Sequence, residues 1–292
     1  MLPGAAFAYA LSAQISIEAA LRLAVGIVAT CLVASANYTI NEFLDAEFDR
    51  LHPLKRHRPG AQGLLIPWVV FAQYVCLAAG GLAAACCINS YFLAAEVALL
   101  IMGLVYNVNP IRTKDRVYLD VLSESVNNPI RFLLGWFCIV SSSFPPSSIL
   151  ISYWSGGAFL MGMKRYAEYR EIGDPEVAGA YRRSFLFYTE RRLLVSSFFY
   201  ALNSVFFLGI FLVKYRIEYI LLFPLVSLLF VEYLLIAMKD HASAYAPEKL
   251  HRQTRLMVIL AVIVCLLVGL FLVRIPGLDF LLQRVVISRS HP

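Results

Sequence analysis

Residues 23–59 read LAVGIVATCLVASANYTINEFLDAEFDRLHPLKRHRP, a run of almost pure hydrocarbon that passes into acids spaced four apart and ends in a burst of bases. A helix that crosses a ~30 Å hydrocarbon core needs about 20 apolar residues, and the apolar run that opens at residue 17 supplies them. Backbone groups in lipid find no water, so only helices and closed barrels span it. This run is continuous where a barrel strand would alternate. The stretch therefore reads as a membrane helix with a charged end, and it sets the class of the chain as all-α.

Working outward, the 292 residues are 60% hydrophobic and 15% charged, with a mean hydropathy of +0.71. That balance belongs to an integral membrane protein. Apolar runs with Pro, Gly and charged boundaries fall near 3–14, 17–46, 66–88, 90–108, 118–140, 147–166, 192–213, 217–238 and 255–275. They predict about nine transmembrane helices. No long polar block interrupts them, so residues 1–292 read as a single polytopic domain. The first run is too short for a full crossing, which implies either a late start to the chain or a truncated helix. It has no basic region before it and no convincing cleavage site, so no removable signal peptide is expected. The six cysteines all lie in apolar segments without metal-ligand spacing and read as small hydrophobes.

Charge is distributed unevenly along the connections. The 50–65, 109–118, 164–192 and 239–255 loops hold most of the Lys and Arg, whereas 88–90 and 141–147 hold none. The positive-inside rule then puts the charged loops in the cytoplasm, with only Lys214 and Arg216 opposite. Topology accounts for most of the net charge of +6, and no nucleic acid is expected as a partner. It does not explain why acids gather on the same side.

Asn41, Asp45 and Asp49 stand at i, i+4 and i+8, a ladder of oxygen ligands on one helix face that drifts about 40° per step. Carboxylates at a membrane helix end are costly unless paired, solvated or metal-bound. One reading is a solvated terminus with Asp49 near Arg50 and Lys55. The other joins the ladder to Arg50, His52, Lys55, Arg56, His57 and Arg58, because acids followed by bases suit Mg²⁺ and a diphosphate together. Mg²⁺ takes one or two carboxylates and completes its octahedron with phosphate oxygens and water, while Lys and Arg take the remaining phosphate charge. Zinc would want His or Cys at tight spacing.

A second acidic group closes the sixth run, MGMKRYAEYREIGDPEVAGAYRRS at 161–184. Lys164, Glu168 and Glu171 share a helical face, with Asp174 beyond, and surface ion pairs Lys164–Glu168 and Arg170–Asp174 are the alternative. The positive-inside pattern puts it on the same side as the first cluster. Between them, Arg112, Lys114, Asp115 and Arg116 precede a stripe of Asp120, Glu124, Asn127 or Asn128, and Arg131 that runs into the fifth span. An intramembrane Arg with Asn partners marks a functional site; the competing reading is a kink at Pro129 whose freed carbonyls the Asn side chains cap.

The pattern Asn41-Glu42-x-x-Asp45-x-x-x-Asp49, then Arg58-Pro59, with a second acidic segment after the sixth helix and about nine spans, resembles the UbiA superfamily of intramembrane prenyltransferases. Within it, DRLHPLKRHRP at 49–59 and KRYAE at 164–168 look most like the decaprenyl-phosphate phosphoribosyltransferase branch. The chain departs from the usual motifs where Glu42 follows Asn41 and where Glu168 and Glu171 replace aspartates. The resemblance implies a UbiA-like helical bundle with a cytoplasm-facing cleft, in a bacterial inner membrane. It implies Mg²⁺ held by Asp45 and Asp49 with help from Asn41, and a second set from Glu168 and Glu171. Asp45, Asp49, Lys55 and Glu168 are expected to carry the chemistry. Asn41, Arg56, Arg58, Arg112, Lys114, Asp120, Asn127, Asn128, Arg131, Lys164 and Arg165 are expected to bind substrate. The partners implied are membrane lipids, a lipid-linked polyprenyl acceptor and a diphosphate donor; assembly as a homo-oligomer stays open.

Phosphoribosyl transfer from phosphoribosyl diphosphate to a polyprenyl phosphate is the preferred reaction, because it brings more phosphate to a dense basic set. A phosphate acceptor is already anionic, so no general base is demanded. Prenyl transfer to an aromatic or other small acceptor is the alternative. A transporter is the non-enzymatic one, disfavoured by charges at helix ends and the lack of a repeated broken helix.

Overall fold

The computed structural model describes residues 1–12, 16–52, 55–215, 217–239, 247–273 and 275–278. Among them every regular element is helical: α1 Leu2–Ser12, α2 Ile17–Asp49, α3 Pro67–Cys86, α4 Ser90–Asn107, α5 Leu119–Ser125, α6 Asn127–Ile139, α7 Ser147–Ile172, α8 Pro175–Tyr181, α9 Glu190–Tyr215, α10 Phe223–Lys239 and α11 Thr254–Leu272. Arg216 and residues 240–246 of the final charged loop lie outside the described residues.

The helix boundaries follow local chemistry. Ser16 opens α2 by accepting the Ala19 N–H at 3.0 Å, and Asn89 opens α4 by accepting the Phe92 N–H at 2.8 Å. Each satisfies a donor that the first helical turn leaves free. Pro67 stands in the first turn of α3, where its missing N–H costs nothing. Gly173 ends α7 in the left-handed region at φ 72°, and Asp174 immediately caps α8 by accepting from the N–H groups of Glu176 and Val177. The three letters Gly-Asp-Pro thus stop one helix and start the next.

Among the described residues, five segments are long and apolar enough to cross a membrane: α2, α3, α4, α9 and Ile217–Lys239. The expected nine are not all of that kind. α1 has 11 residues and α6 has 13. The predicted span at 118–140 is two helices, broken at Val126 ahead of Pro129. The break precedes Pro129, whose ring removes the N–H that the Ser125 carbonyl would accept in a continuous helix. The Leu122 carbonyl accepts from the Trp154 indole at 3.2 Å and the Ser125 hydroxyl at 2.9 Å, while Asn127 Oδ1 is buried with no hydrogen-bond partner.

Packing follows the rule for helices in lipid, where small residues let backbones approach. Ala29, Val33 and Ala36 on α2 are buried against α3 and α4, with Ala85, Phe92 and Leu99. A Cβ at Gly103 would overlap the Asn37 side chain, whose amide donates to the Leu99 carbonyl at 2.9 Å. Conversely, Trp68 and Phe71 on α3 and Val195, Phe198 and Phe206 on α9 face outward, as lipid-facing residues do. The ends of α2, α4 and α7 meet α5, α8 and the loops between them, and the charge collects there.

Candidate active site

Asp45 and Asp49 occupy the last two turns of α2 and line one cleft with Phe48, Arg112, Lys114, Asp115, Tyr181 and Arg182. The 107–118 connection folds back so that its bases reach across to Asp45. Lys114 pairs closely with Asp45 and donates to Asn107 Oδ1 at 2.9 Å. Arg112 donates to Asp45 at 3.1 Å, to Asp115 at 3.0 Å and to the Asn107 carbonyl at 3.0 Å, with its plane over the Phe48 ring. It does so from a backbone with φ 25°, a region few side chains adopt. Burial pushes the Lys114 ammonium down to about 8, against the attraction of Asp45. Asp49 is nearly enclosed and accepts from Arg58 at 3.0 Å.

Beside the cleft lies a second cluster around Glu168, which is fully buried. It accepts from Lys55 at 2.6 Å and from the Tyr181 hydroxyl at 2.9 Å, and lies 3.3 Å from Arg165. His52 Nδ1 accepts the Lys55 N–H at 3.3 Å, so the ring proton sits on Nε2, which lies 3.5 Å from Glu168. Burial and the Glu168 carboxylate hold the Tyr181 phenol well above its ordinary pKa, so it stays a donor. Arg165 also pairs closely with Glu124, lies 3.5 Å from Asp120 and donates to the Tyr106 hydroxyl at 2.9 Å. Lys164 lies 3.5 Å from Glu124, so the alternative pair Lys164–Glu168 does not form. Arg170 lies instead near Glu190, at 3.7 Å.

Of the expected site residues, Asp45, Asp49, Lys55, Arg58, Arg112, Lys114, Lys164, Arg165 and Glu168 therefore converge on these two adjoining clusters. Asp120 joins them from behind: it is buried, accepts from Tyr188 at 2.7 Å and Ser184 at 3.1 Å, and anchors the loop that carries Arg182. Asn41 is half-buried one turn before Asp45. Others do not reach the cleft. Arg56 is exposed and its side chain donates to His57. Glu171 is exposed, because α7 turns it outward as it leaves the bundle. Asn128 presses on Gly157, and Arg131 lies near Met1 and Tyr153. Glu42 accepts the Gly60 N–H at 3.1 Å and so closes the 50–60 loop.

Sequence reasoning missed Tyr106, Tyr181, Arg182 and the role of His52. The helix start at Gly-Asp-Pro was the available signal for Tyr181, which ends the short helix it opens.

The donor set suits a hard cation only in part. Among the described residues no three His, Cys, Asp or Glu side chains converge as a ready metal centre. Asp45 and Asp49 do line one cleft with oxygen ligands alone, and Mg²⁺ asks the protein for one or two carboxylates. The pair fits. Glu168 is saturated by four neighbours and Glu171 is exposed, so the second metal set expected from them is not assembled.

The model of the UbiA prenyltransferase family matches residues 1–252. Decaprenyl-phosphate phosphoribosyltransferase of Mycolicibacterium smegmatis is 33% identical over 157 residues, covering 52% of this chain and 46% of that protein. Its Mycobacterium tuberculosis counterpart is 31% identical over 153 residues, covering 52% and 49%. The matches thus span about half the length of these curated relatives. Among solved structures, a UbiA homolog from Archaeoglobus fulgidus bound to GPP and Mg²⁺ superimposes with a TM-score of 0.67 at 21% identity, covering 92% of this chain and 94% of that one.

Proposed function

The chain belongs to the UbiA prenyltransferase family, an integral membrane family by its apolar helices, and from that premise we propose that it transfers a phosphoribosyl group from phosphoribosyl diphosphate to a polyprenyl phosphate. The observation that carries the reading is the convergence of Asp45 and Asp49 with Arg112, Lys114, Tyr181 and Arg182 on one cleft. The named activity of the mycobacterial relatives supports the choice of donor.

In this reaction an oxygen of the acceptor phosphate forms a bond to C1 of the ribose. The bond from C1 to the diphosphate oxygen breaks, and the diphosphate leaves with its electron pair. The acceptor oxygen is already ionised at neutral pH, since the second phosphate pKa is about 6, so no side chain has to remove a proton. Arg112 and Lys114 let go of Asp45 and bind diphosphate oxygens, Arg112 as a fork and Lys114 as a point charge. Arg182 flanks the same oxygens. The Tyr181 phenol and Lys55 hold Glu168 in place and keep the adjoining wall fixed. Asp45 and Asp49 are the residues that would hold Mg²⁺, which would supply charge stabilisation to the leaving oxygens. The cleft faces the cytoplasm by the distribution of basic loops, in a bacterial inner membrane.

The test offers purified protein phosphoribosyl diphosphate with polyprenyl phosphate and, in parallel, a prenyl diphosphate with aromatic acids, each with and without Mg²⁺. Mass spectrometry of the lipid product is expected to show a polyprenyl phosphoribose that needs Mg²⁺. Aromatic prenylation alone would replace this donor with a prenyl diphosphate, and no diphosphate release from either would end the transferase reading.

A further inference from the structure

A second cavity lies outside the cleft: a groove of ≈ 800 Å³ between α5 and α9. Two ladders of α9 line it, Arg191–Val195–Phe199 and Arg192–Ser196–Tyr200, each at i, i+4 and i+8. Each ladder begins with a guanidinium and ends two turns later on an aromatic ring, over about 12 Å of helix. Tyr118, just before α5, and Leu122 within it form the facing wall, and Thr189 adds a hydroxyl at the charged end. The groove is thus charged at its head and largely apolar along its tail, and it follows a helix apolar enough to cross a membrane.

Both arginines are exposed at the end of a membrane helix that the positive-inside rule puts in the cytoplasm, and their side chains line the groove. Neither has a carboxylate partner among the described residues; Arg192 donates to the Phe187 carbonyl at 2.6 Å, which leaves most of its five N–H groups free. Both occupy the first turn of α9, where the macrodipole favours acids and opposes bases. An anion between them offsets that conflict. Leu186 and Phe187, 63% and 60% exposed, stand immediately before them and suit the lipid interface.

We propose that this groove docks the polyprenyl phosphate acceptor, with the phosphate on Arg191, Arg192 and Thr189 and the first isoprene units along Leu122, Val195 and Phe199. The assignment rests on the phosphoribosyl reading, because position selects the acceptor over a bystander phospholipid. Asp115 lines the cleft and Tyr118 lines the groove, and three residues of chain span at most about 11 Å. The cleft and the groove therefore adjoin through the 115–118 connection.

The experiment measures binding of a fluorescent polyprenyl monophosphate to the detergent-purified protein. In parallel, binding of phosphoribosyl diphosphate with Mg²⁺ is followed by calorimetry. Arg191→Gln/Arg192→Gln is expected to weaken the lipid probe roughly tenfold or more, from the loss of charge-assisted hydrogen bonds. Val195→Trp, which fills the groove, is expected to do the same. Donor affinity stays within about twofold in both, which also reports that they fold, and Arg22→Gln, whose partner is Glu18, leaves both unchanged. Wild-type probe affinity in both groove variants overturns the proposal, as does displacement of the probe by an equal concentration of phosphatidylglycerol. Probe binding that the double variant loses, in a protein that transfers nothing from phosphoribosyl diphosphate, supports the groove while the transfer reading fails.

Discussion

Replacing Glu168 by Gln separates a structural keystone from a metal ligand. The carboxylate has no exposure and is contacted by Lys55, Tyr181, His52 and Arg165. Gln keeps the shape and one acceptor oxygen, which Tyr181 and Lys55 can still use, but its amide NH₂ then faces the Arg165 guanidinium, donor against donor. Arg165 retains Asp120 and Glu124, and Lys55 has some access to water. The loss therefore falls below the ~3–5 kcal/mol of truncating one partner of a buried pair and above a single charged hydrogen bond at ~1.5–3 kcal/mol. A value of about 3 kcal/mol corresponds to roughly 5 °C in melting temperature for a chain of this size. The assay is thermal unfolding in detergent without donor or metal. An unchanged melting temperature combined with loss of Mg²⁺-dependent donor binding would refute the reasoning and return Glu168 to the metal.

Asp45→Asn frees Lys114 and Arg112, so pyrophosphate affinity without metal rises, while Mg²⁺-dependent diphosphate release falls at least a hundredfold; parallel calorimetry and turnover check both. Lys114 loses its proton as pH rises through about 8, because burial lowers it and Asp45 only partly restores it. Pyrophosphate affinity of the ligand-free protein accordingly declines between pH 7 and 9, and Lys114→Arg flattens that profile. Arg56→Gln and Glu171→Gln leave turnover within about twofold, since both side chains point away from the cleft. Trp154→Phe removes the indole donor from the α5–α6 break and costs about 1 kcal/mol, read as a small drop in melting temperature with donor binding intact.

The all-helical class was legible in the sequence because lipid leaves the backbone so few options, and the ladder of Asp45 and Asp49 because helical period fixes which residues share a face. What the acids pair with was not legible. Arg112 and Lys114 reach Asp45 through an irregular loop whose path, including φ 25° at Arg112, no periodicity encodes. The same holds for Tyr181, which a seven-residue helix after Gly173 carries back over Glu168. Periodicity also misled. It put Glu171 on the face of Glu168, but α7 has left the packed bundle by then and only Glu168 remains inside. Asp120 and Arg131 read as one stripe, yet the break at Val126 sends them to different places.

These pairings bear on how the cleft can take a highly charged donor. Each carboxylate in it already has a base, Lys114 and Arg112 on Asp45, Arg112 on Asp115 and Arg58 on Asp49, as does Glu168 beside it with Lys55 and Arg165. The cavity they leave is only ≈ 10 Å³, about the space of one water. Charges so placed bear the desolvation cost of a membrane boundary only because each is paired. A diphosphate that entered alone would take the bases and strand Asp45 and Asp49 beside its own negative oxygens. Under the proposed reaction, binding is an exchange of partners, in which the acids would need a cation at the moment the bases turn to phosphate. Of the two clusters, only the Asp45–Asp49 side can open in this way. Arg58 is 43% exposed and can swing into solvent, whereas Arg165 is 1% exposed and held by three carboxylates. The half of the site that can open is the one with the exposed Arg58, and the Glu168 cluster is the fixed wall beside it.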